Sequence, residues 1–365
     1  MAEAIVVGAG VFGAALADRL VTEGWVVRLI DRFGAGDPRA ESGGETRLLR
    51  FSHGPDAFYT RLAHRSRDLW QELGSGVLEE CGVLWLARRE DGWEADSLRA
   101  LREAGIGVER LTPDDGAQRL PGMETGDLAF VLHEPEAGVL HAARGTRALA
   151  ERAADGGARV ERAAARPEGE GVRVGDRVLD ADAVVWACGA WLGTLFGDLV
   201  PVRATLQEAV LFRTPPGPGP GWVDFDGAWY GHAGIEPHGF KVASDVDGSP
   251  VDPEARPALA GPAAVARARR YAAHRFPALA SGDVVATPAC HYSLTPDANF
   301  IFAPHPGHAR VWLLGGGSGH GFKHGPAVAE HVAAVLAGRA EPEPRFALGK
   351  RLPARSLRTA GSRSE

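Results

Sequence analysis

The sequence predicts an α/β protein of two lobes, one wound around a parallel sheet through βαβ crossovers, the other built on a mixed, largely antiparallel sheet. Three observations carry this expectation. The chain has 365 residues, beyond the ~250–300 at which a single hydrophobic core usually divides. Its opening segment runs through apolar strand, glycine turn, helix and second apolar strand in quick succession. The segments 81–136 and 205–285 read instead as strands, turns and hairpins with isolated helices.

Composition narrows the function classes. A hydrophobic content of 45% supports a large core, and a net charge of −7 leaves no basic face to attract nucleic acid. The three cysteines, Cys81, Cys188 and Cys290, make neither a disulfide framework nor a paired-cysteine zinc site. No metal centre is expected, and the compartment reads as reducing. No charged leader with an apolar core precedes Ala4, and no apolar run reaches the ~18–20 residues of a membrane span, so the expectation is a soluble, cytoplasmic protein without a membrane partner.

Taken in order, "EAIVVGAGVFGAALADRLVTEGWVVRLIDR" gives a buried strand to Val7, a helix from Val11 to about Glu23, a break at Gly24 and a second strand ending at Asp31. Gly8, Gly10 and Gly13 form GxGxxG. One glycine permits the tight turn, one lets a pyrophosphate approach the backbone and one packs helix on strand. The helix N-terminus then offers unpaired N–H groups to phosphate, and Asp31 can accept from ribose hydroxyls. This is a Rossmann-type unit, with NAD and FAD both open at this point.

The loop "AESGGETRLLRFSHG" follows, where Arg47 and Arg50 would share one face of a helix and could hold carboxylate or flavin oxygens; solvated surface arginines are the plain alternative. "AFYTRLAHRSRDLWQELG" is an amphipathic helix. "CGVLWLARRE" reads as a strand, "DSLRALREAGI" as a helix, and "DLAFVLHEPEAGVLH" as strand, turn and strand. After the helix "GTRALAERAADGG", a buried strand from Ala183 to Trp186 runs into Cys188-Gly189-Ala190, where Cys188 is most simply a packed small residue.

"RTPPGPGPGW" reads as a proline-rich loop, and "GAWYGHAGIEPHGFKVASDVDG" as hairpin strands in which Lys241 interrupts an apolar run. It either points inward or snorkels to water. The helix "PAAVARARRYAAHRFPAL" should cover the sheet with its arginines solvated. Cys290, beside His291 and Tyr292, is either a packed small residue or a reactive thiol. In "VWLLGGGSGHGFKHGPAVAEHV" a strand from Val311 to Leu314 meets a glycine-dense loop, with His320 and Lys323 as its polar groups, and a helix near Gly325-Pro326.

The glycine fingerprint, "GGETRLLR", "GFK" at Gly239–Lys241, "CHYSLTPDANFI" and "GSGHGFK", in this order, resemble the monomeric sarcosine oxidase and N-methyltryptophan oxidase family, over about Ala4 to Leu336. The resemblance implies a glutathione-reductase-like FAD-binding domain from residues 1–80, 137–204 and 286–345. A substrate domain would come from 81–136 and 205–285, and a basic, flexible tail from 346–365. It also implies FAD joined through sulfur to Cys290, with Gly8, Gly10, Gly13, Asp31, Arg32, Ser42, Thr46, Gly317, Gly319, Gly321 and Lys323 around the cofactor.

By the same resemblance Arg50 and Lys323 hold a substrate carboxylate, and Tyr230 and Tyr292 border the substrate. Arg47 packs near the flavin, Lys241 promotes oxygen reduction, and Asp297 closes the flavin site. The implied reaction is oxidation of a secondary-amine or cyclic amino acid by hydride transfer from the carbon next to nitrogen to flavin N5. An imine results, O2 reoxidises the flavin to give H2O2, the rate rises with pH until the amine is deprotonated, and the enzyme is a monomer.

Two departures stand out. Asp245 occupies the position of a family histidine four residues past the lysine, placing a carboxylate at the substrate, and "ESGG" replaces a histidine-rich loop. The alternatives are a flavin dehydrogenase using an acceptor other than oxygen, and a non-catalytic dinucleotide-binding protein.

Overall fold

The computed structural model describes residues 1–214, 219–235, 239–255 and 258–353. Residues 215–218 of the proline-rich loop, residues 236–238 and 256–257, and the tail from 354 therefore lie outside the described residues.

A six-stranded sheet organises the nucleotide side, in the order Ile301–His305, His308–Gly315, Ala183–Trp186, Glu3–Val7, Val26–Asp31, Arg159–Arg162. Every neighbouring pair is parallel except the first, which is a hairpin. Because successive strand residues face opposite sides, Ala4 and Val6 enter one apolar cluster with the helices Val11–Thr22 and Gly325–Leu336, while Ile5 and Val7 enter another. Burial on both faces explains why these strands are unbroken apolar runs in the sequence.

The larger sheet has nine strands. All its pairings are antiparallel except that of Gly221–Asp224 with Val83–Ala87, in agreement with the mixed sheet expected. Its spine is the ten-residue strand Arg203–Phe212, which pairs with Gly239–Ser244, Val284–Ala286 and Ala289–Leu294. The strand carrying Cys290 thus belongs to this sheet, although the sequence assigns residue 290 to the nucleotide side.

Register decides what this sheet presents. Tyr292 lies opposite Thr205 and Cys290 opposite Gln207. Lys241 lies opposite Leu211 and His232, and Tyr230 opposite Ala243. The two-residue period then places Tyr230, His232, Lys241, Cys290 and Tyr292 on one face. The other face carries Val210, Phe212, Phe240 and Val242 and packs against Ala268 and Tyr271 of the helix Pro262–Arg275.

Three sequence expectations change here. Arg47 lies in a strand, Thr46–Leu49, paired with Gly138–His141, so the helical face proposed for Arg47 and Arg50 does not exist. Arg275 is fully buried rather than solvated, because its guanidinium bonds both oxygens of Asp127 at 2.8 Å. The chain is still packed where a tail was expected: Phe346 is buried, and Arg351 reaches Asp297 at 2.8 Å. Asp297 is engaged there and is not a lining residue of the cavity described next.

Candidate active site

The glycine turn opens onto a cavity of about 490 Å³ between the two sheets. Gly8 has φ +103°, a region that favours glycine, and a Cβ there would lie 2.4 Å from the Ala187 carbonyl oxygen. A Cβ on Gly13 would lie 1.8 Å from the Gly8 oxygen, so Gly13 serves helix packing and does not line the cavity. Gly10 would meet only the Ser42 hydroxyl, at 3.4 Å, and is the glycine a ligand can approach.

Polar groups around the turn are arranged by the same local geometry. Ser42 Oγ accepts from Val11 N at 2.9 Å, supplying one partner for the first turn of the helix. Asp31 accepts from Ala9 N, Phe33 N and Gly34 N at 2.6–2.7 Å, which ties the strand end to both turns. Arg32 pairs with Glu254, and Glu254 also accepts from Trp191 Nε1 at 2.7 Å; all three line the cavity. Cys188 lines it too, with its thiol on the Val7 carbonyl at 3.3 Å and its ionisation pushed up by burial.

The glycine-dense loop contributes Gly315, Gly316, Gly317, Gly319 and Gly321 to the wall. Ser318, at φ 47°, holds the loop against the Cys290 strand: its N–H donates to the Ser293 carbonyl at 2.9 Å and its Oγ accepts from Thr295 N at 3.1 Å. His320, expected among the ligand-facing groups, turns away and donates from Nε2 to the Ala298 carbonyl at 2.8 Å.

At one end Arg47, a lining residue, connects the cavity to the sheet face that carries Cys290, Lys241 and Tyr230, none of which lines the cavity itself. Its guanidinium donates to the Thr46 and Glu41 carbonyls at 2.7 Å each and lies 3.6 Å from Cys290 Sγ. Tyr292 and Tyr230 share a hydrogen bond of 2.9 Å. Lys241 Nζ sits 5.5 Å from the Tyr230 ring centre and donates to the Thr46 carbonyl at 3.3 Å. Burial first, then the Arg47 charge, pushes Lys241 down to about 7. Thr46 is not a lining residue; its hydroxyl holds His232 Nε2 at 3.0 Å behind the wall.

Beyond Phe322, Lys323 is buried with Nζ on the His320 carbonyl at 3.3 Å. Burial, then Arg50, holds it well below the usual lysine range, against the opposite pull of Glu134 and Asp245. Arg50 lies 5.1 Å from the Trp85 ring centre and contacts the Ser52 carbonyl at 3.3 Å.

Two acids escaped the sequence reading. Glu134 is buried on Phe51 N, Ser52 N and Trp85 Nε1 at 2.7–2.9 Å, shaping the bend just after Arg50. Glu41 lines the cavity and accepts from Ser293 N at 2.6 Å; burial pushes it up to about 7. Its signal was present as the single acid in "AESGG", but nothing local ties that residue to Ser293.

The glycine turn, the flat glycine wall and the cations at one end fit a dinucleotide with a planar ring system, so fold and site define a dinucleotide-dependent redox enzyme. The chain belongs to the DAO family of FAD dependent oxidoreductases, whose family model matches residues 3–335. It is 30% identical over 355 residues to monomeric sarcosine oxidase of Streptomyces avermitilis, covering 91% of this chain and 92% of that protein. It is 28% identical over 364 residues to monomeric sarcosine oxidase of Bacillus sp. strain B-0618, covering 93% of each. Its fold matches the crystal structure of L-proline dehydrogenase from P. horikoshii with a TM-score of 0.80 at 22% identity, over 94% of this chain and 95% of that one. Among the described residues, no helix is long and apolar enough to cross a membrane.

Proposed function

We propose that this FAD-dependent oxidoreductase oxidises a secondary-amine or cyclic amino acid and passes the electrons to oxygen. The observation that supports the reading is the pair of Arg50 and the buried Lys323, which act on each other electrostatically directly behind Phe322, a residue of the cavity wall. A carboxylate placed between two poorly hydrated cations forms strong charge-assisted hydrogen bonds. Asp245 adds a negative charge to the surroundings of Lys323, which selects for a substrate carrying a cationic nitrogen as well as an acid.

Bound FAD supplies the chemistry of accepting a hydride from the carbon next to nitrogen and returning two electrons to oxygen. The protein's own groups orient the substrate between Arg50, Lys323 and the tyrosine pair, so that positioning lowers the barrier. In its protonated form Lys241, just behind the wall beside Thr46 and Tyr230, supplies a positive charge near where negative charge develops on oxygen. Cys290, with its sulfur beside the Arg47 guanidinium, is the tether for the cofactor. Asp31, Arg32 and Ser42 meet the nucleotide half, and the enzyme works as a monomer with no protein or nucleic-acid partner.

The test is an anaerobic screen of N-methyl and cyclic amino acids against the purified yellow protein, followed by peroxide measurement in air. Bleaching by such amines with one peroxide per turnover is the expected result. Bleaching with reoxidation only by a dye or quinone overturns the oxidase reading in favour of a dehydrogenase. No bleaching by any amino acid overturns the substrate class.

A further inference from the structure

Behind the Lys323 turn the fold gathers three histidines that the reaction does not use. His53 follows the Arg50 bend, while His320 and His324 flank Lys323. All three are buried, and each offers a ring nitrogen within 4.8 Å of the other two. Their ring centres form a nearly equilateral triangle of 5.2, 5.6 and 5.9 Å. Three imidazoles around one ion, with metal–nitrogen bonds of about 2.0–2.1 Å, place their ring centres about 5.2–5.5 Å apart.

The hydrogen-bond pattern around the rings matches the same purpose. His53 donates from Nδ1 to the Phe51 carbonyl at 2.8 Å, and His320 donates from Nε2 to the Ala298 carbonyl at 2.8 Å. A carbonyl behind one ring nitrogen fixes the tautomer and makes the other nitrogen the electron-pair donor, the usual support for a metal-bound histidine. His53 Nε2 and both nitrogens of His324 are buried without a hydrogen-bond partner. Buried unpaired groups of this kind are costly, and an ion would give a partner to His53 Nε2 and to one nitrogen of His324.

We propose that His53, His320 and His324 hold one late first-row transition-metal ion, Cu+ or Zn2+, as a structural site that pins the turn carrying Lys323. Imidazole is a good ligand for both ions. The permanent charge of Arg50 acts on His53 and His324, and Coulomb repulsion therefore favours the singly charged ion. The sequence reading expected no metal, because the three ligands do not form a recognisable spacing: positions 53, 320 and 324 meet only when the chain is folded.

The experiment uses the purified holoprotein, stripped with chelator and loaded in parallel with Zn2+ or, anaerobically, with Cu+. Elemental analysis after desalting and X-ray absorption at the metal edge are the readouts. We expect one ion per chain, surrounded by three nitrogens at about 2.0 Å, and a raised melting temperature. The Cu+ and Zn2+ arms rank the two ions. His324→Phe and His53→Phe keep an aromatic ring beside Tyr59 and should retain flavin while losing the ion; His308→Ala, at the surface hairpin, should keep it. Failure of the wild type to hold either ion, sulfur in the coordination sphere, or full retention in both ring variants overturns the proposal. If a variant does not fold, the absorption spectrum of the wild type decides.

Discussion

Lys241 and Cys290 stand on the same sheet face, and each has a separable consequence. Lys241 is charged below about pH 7 and neutral above, because burial and Arg47 disfavour its ammonium form. If that charge assists electron transfer to oxygen, the reoxidation rate constant should fall as pH rises from 6 to 9. Lys241→Met should be slower by about 10²–10³-fold and flat over the same range. Stopped-flow mixing of reduced enzyme with oxygen measures both. The reductive half-reaction should respond in the opposite direction, rising with pH until the substrate amine loses its proton. Cys290→Ser should leave the yellow colour in the supernatant after acid precipitation, whereas the wild-type pellet stays yellow; colour in neither pellet removes the tether. Cys290 was conspicuous in the sequence by its rarity, yet its neighbours were not. Arg47 is 243 positions away, and only folding brings its guanidinium to the sulfur.

At the scale of elements, local patterns that sequence reads well are those whose cause is local. The GxGxxG turn falls into this class, since the Gly13 requirement comes from a carbonyl five residues earlier. Gly13→Ala should prevent accumulation of folded, flavin-loaded protein, seen as loss of colour in the soluble fraction. The helix Pro262–Arg275 is the contrary case. Its arginines look alike in sequence, but Arg275 ends the helix against the loop holding Glu124 and Asp127 and is buried there. Arg275→Leu should cost about 1–3 kcal/mol, because Asp127 keeps Arg88 as a partner, read from the denaturant midpoint at constant slope. Burial would raise the Asp127 carboxyl, but its bonds to Arg275 and Arg88 hold it well below the usual range. This stabilisation is complete above the ordinary carboxylate pKa and is lost as pH falls below it, so the variant's stability should be less sensitive to acid than the wild type's.

For the whole molecule, the cavity lies between two sheets and its lining is drawn from both, so a ligand there stabilises the assembly of the two. In Cys290→Ser, where the cofactor can leave, the melting temperature should rise with added FAD, by the equivalent of about 2.7 kcal/mol at a hundredfold excess over Kd. No dependence on FAD would place the cofactor elsewhere. The parallel sheet, the glycine turn, the helices that cover them and the strand bearing Lys241 were determined by the sequence alone. Each follows from turn chemistry or from a period of two or 3.6 that neighbouring residues impose. Only the tertiary structure decided that Thr46 supports rather than lines the site, that Glu41 enters it while Glu134 braces the bend after Arg50, and that His53 meets His320 and His324. These outcomes depend on cross-strand register and on burial between segments hundreds of positions apart, and no local pattern encodes which distant surface will close over a given side chain.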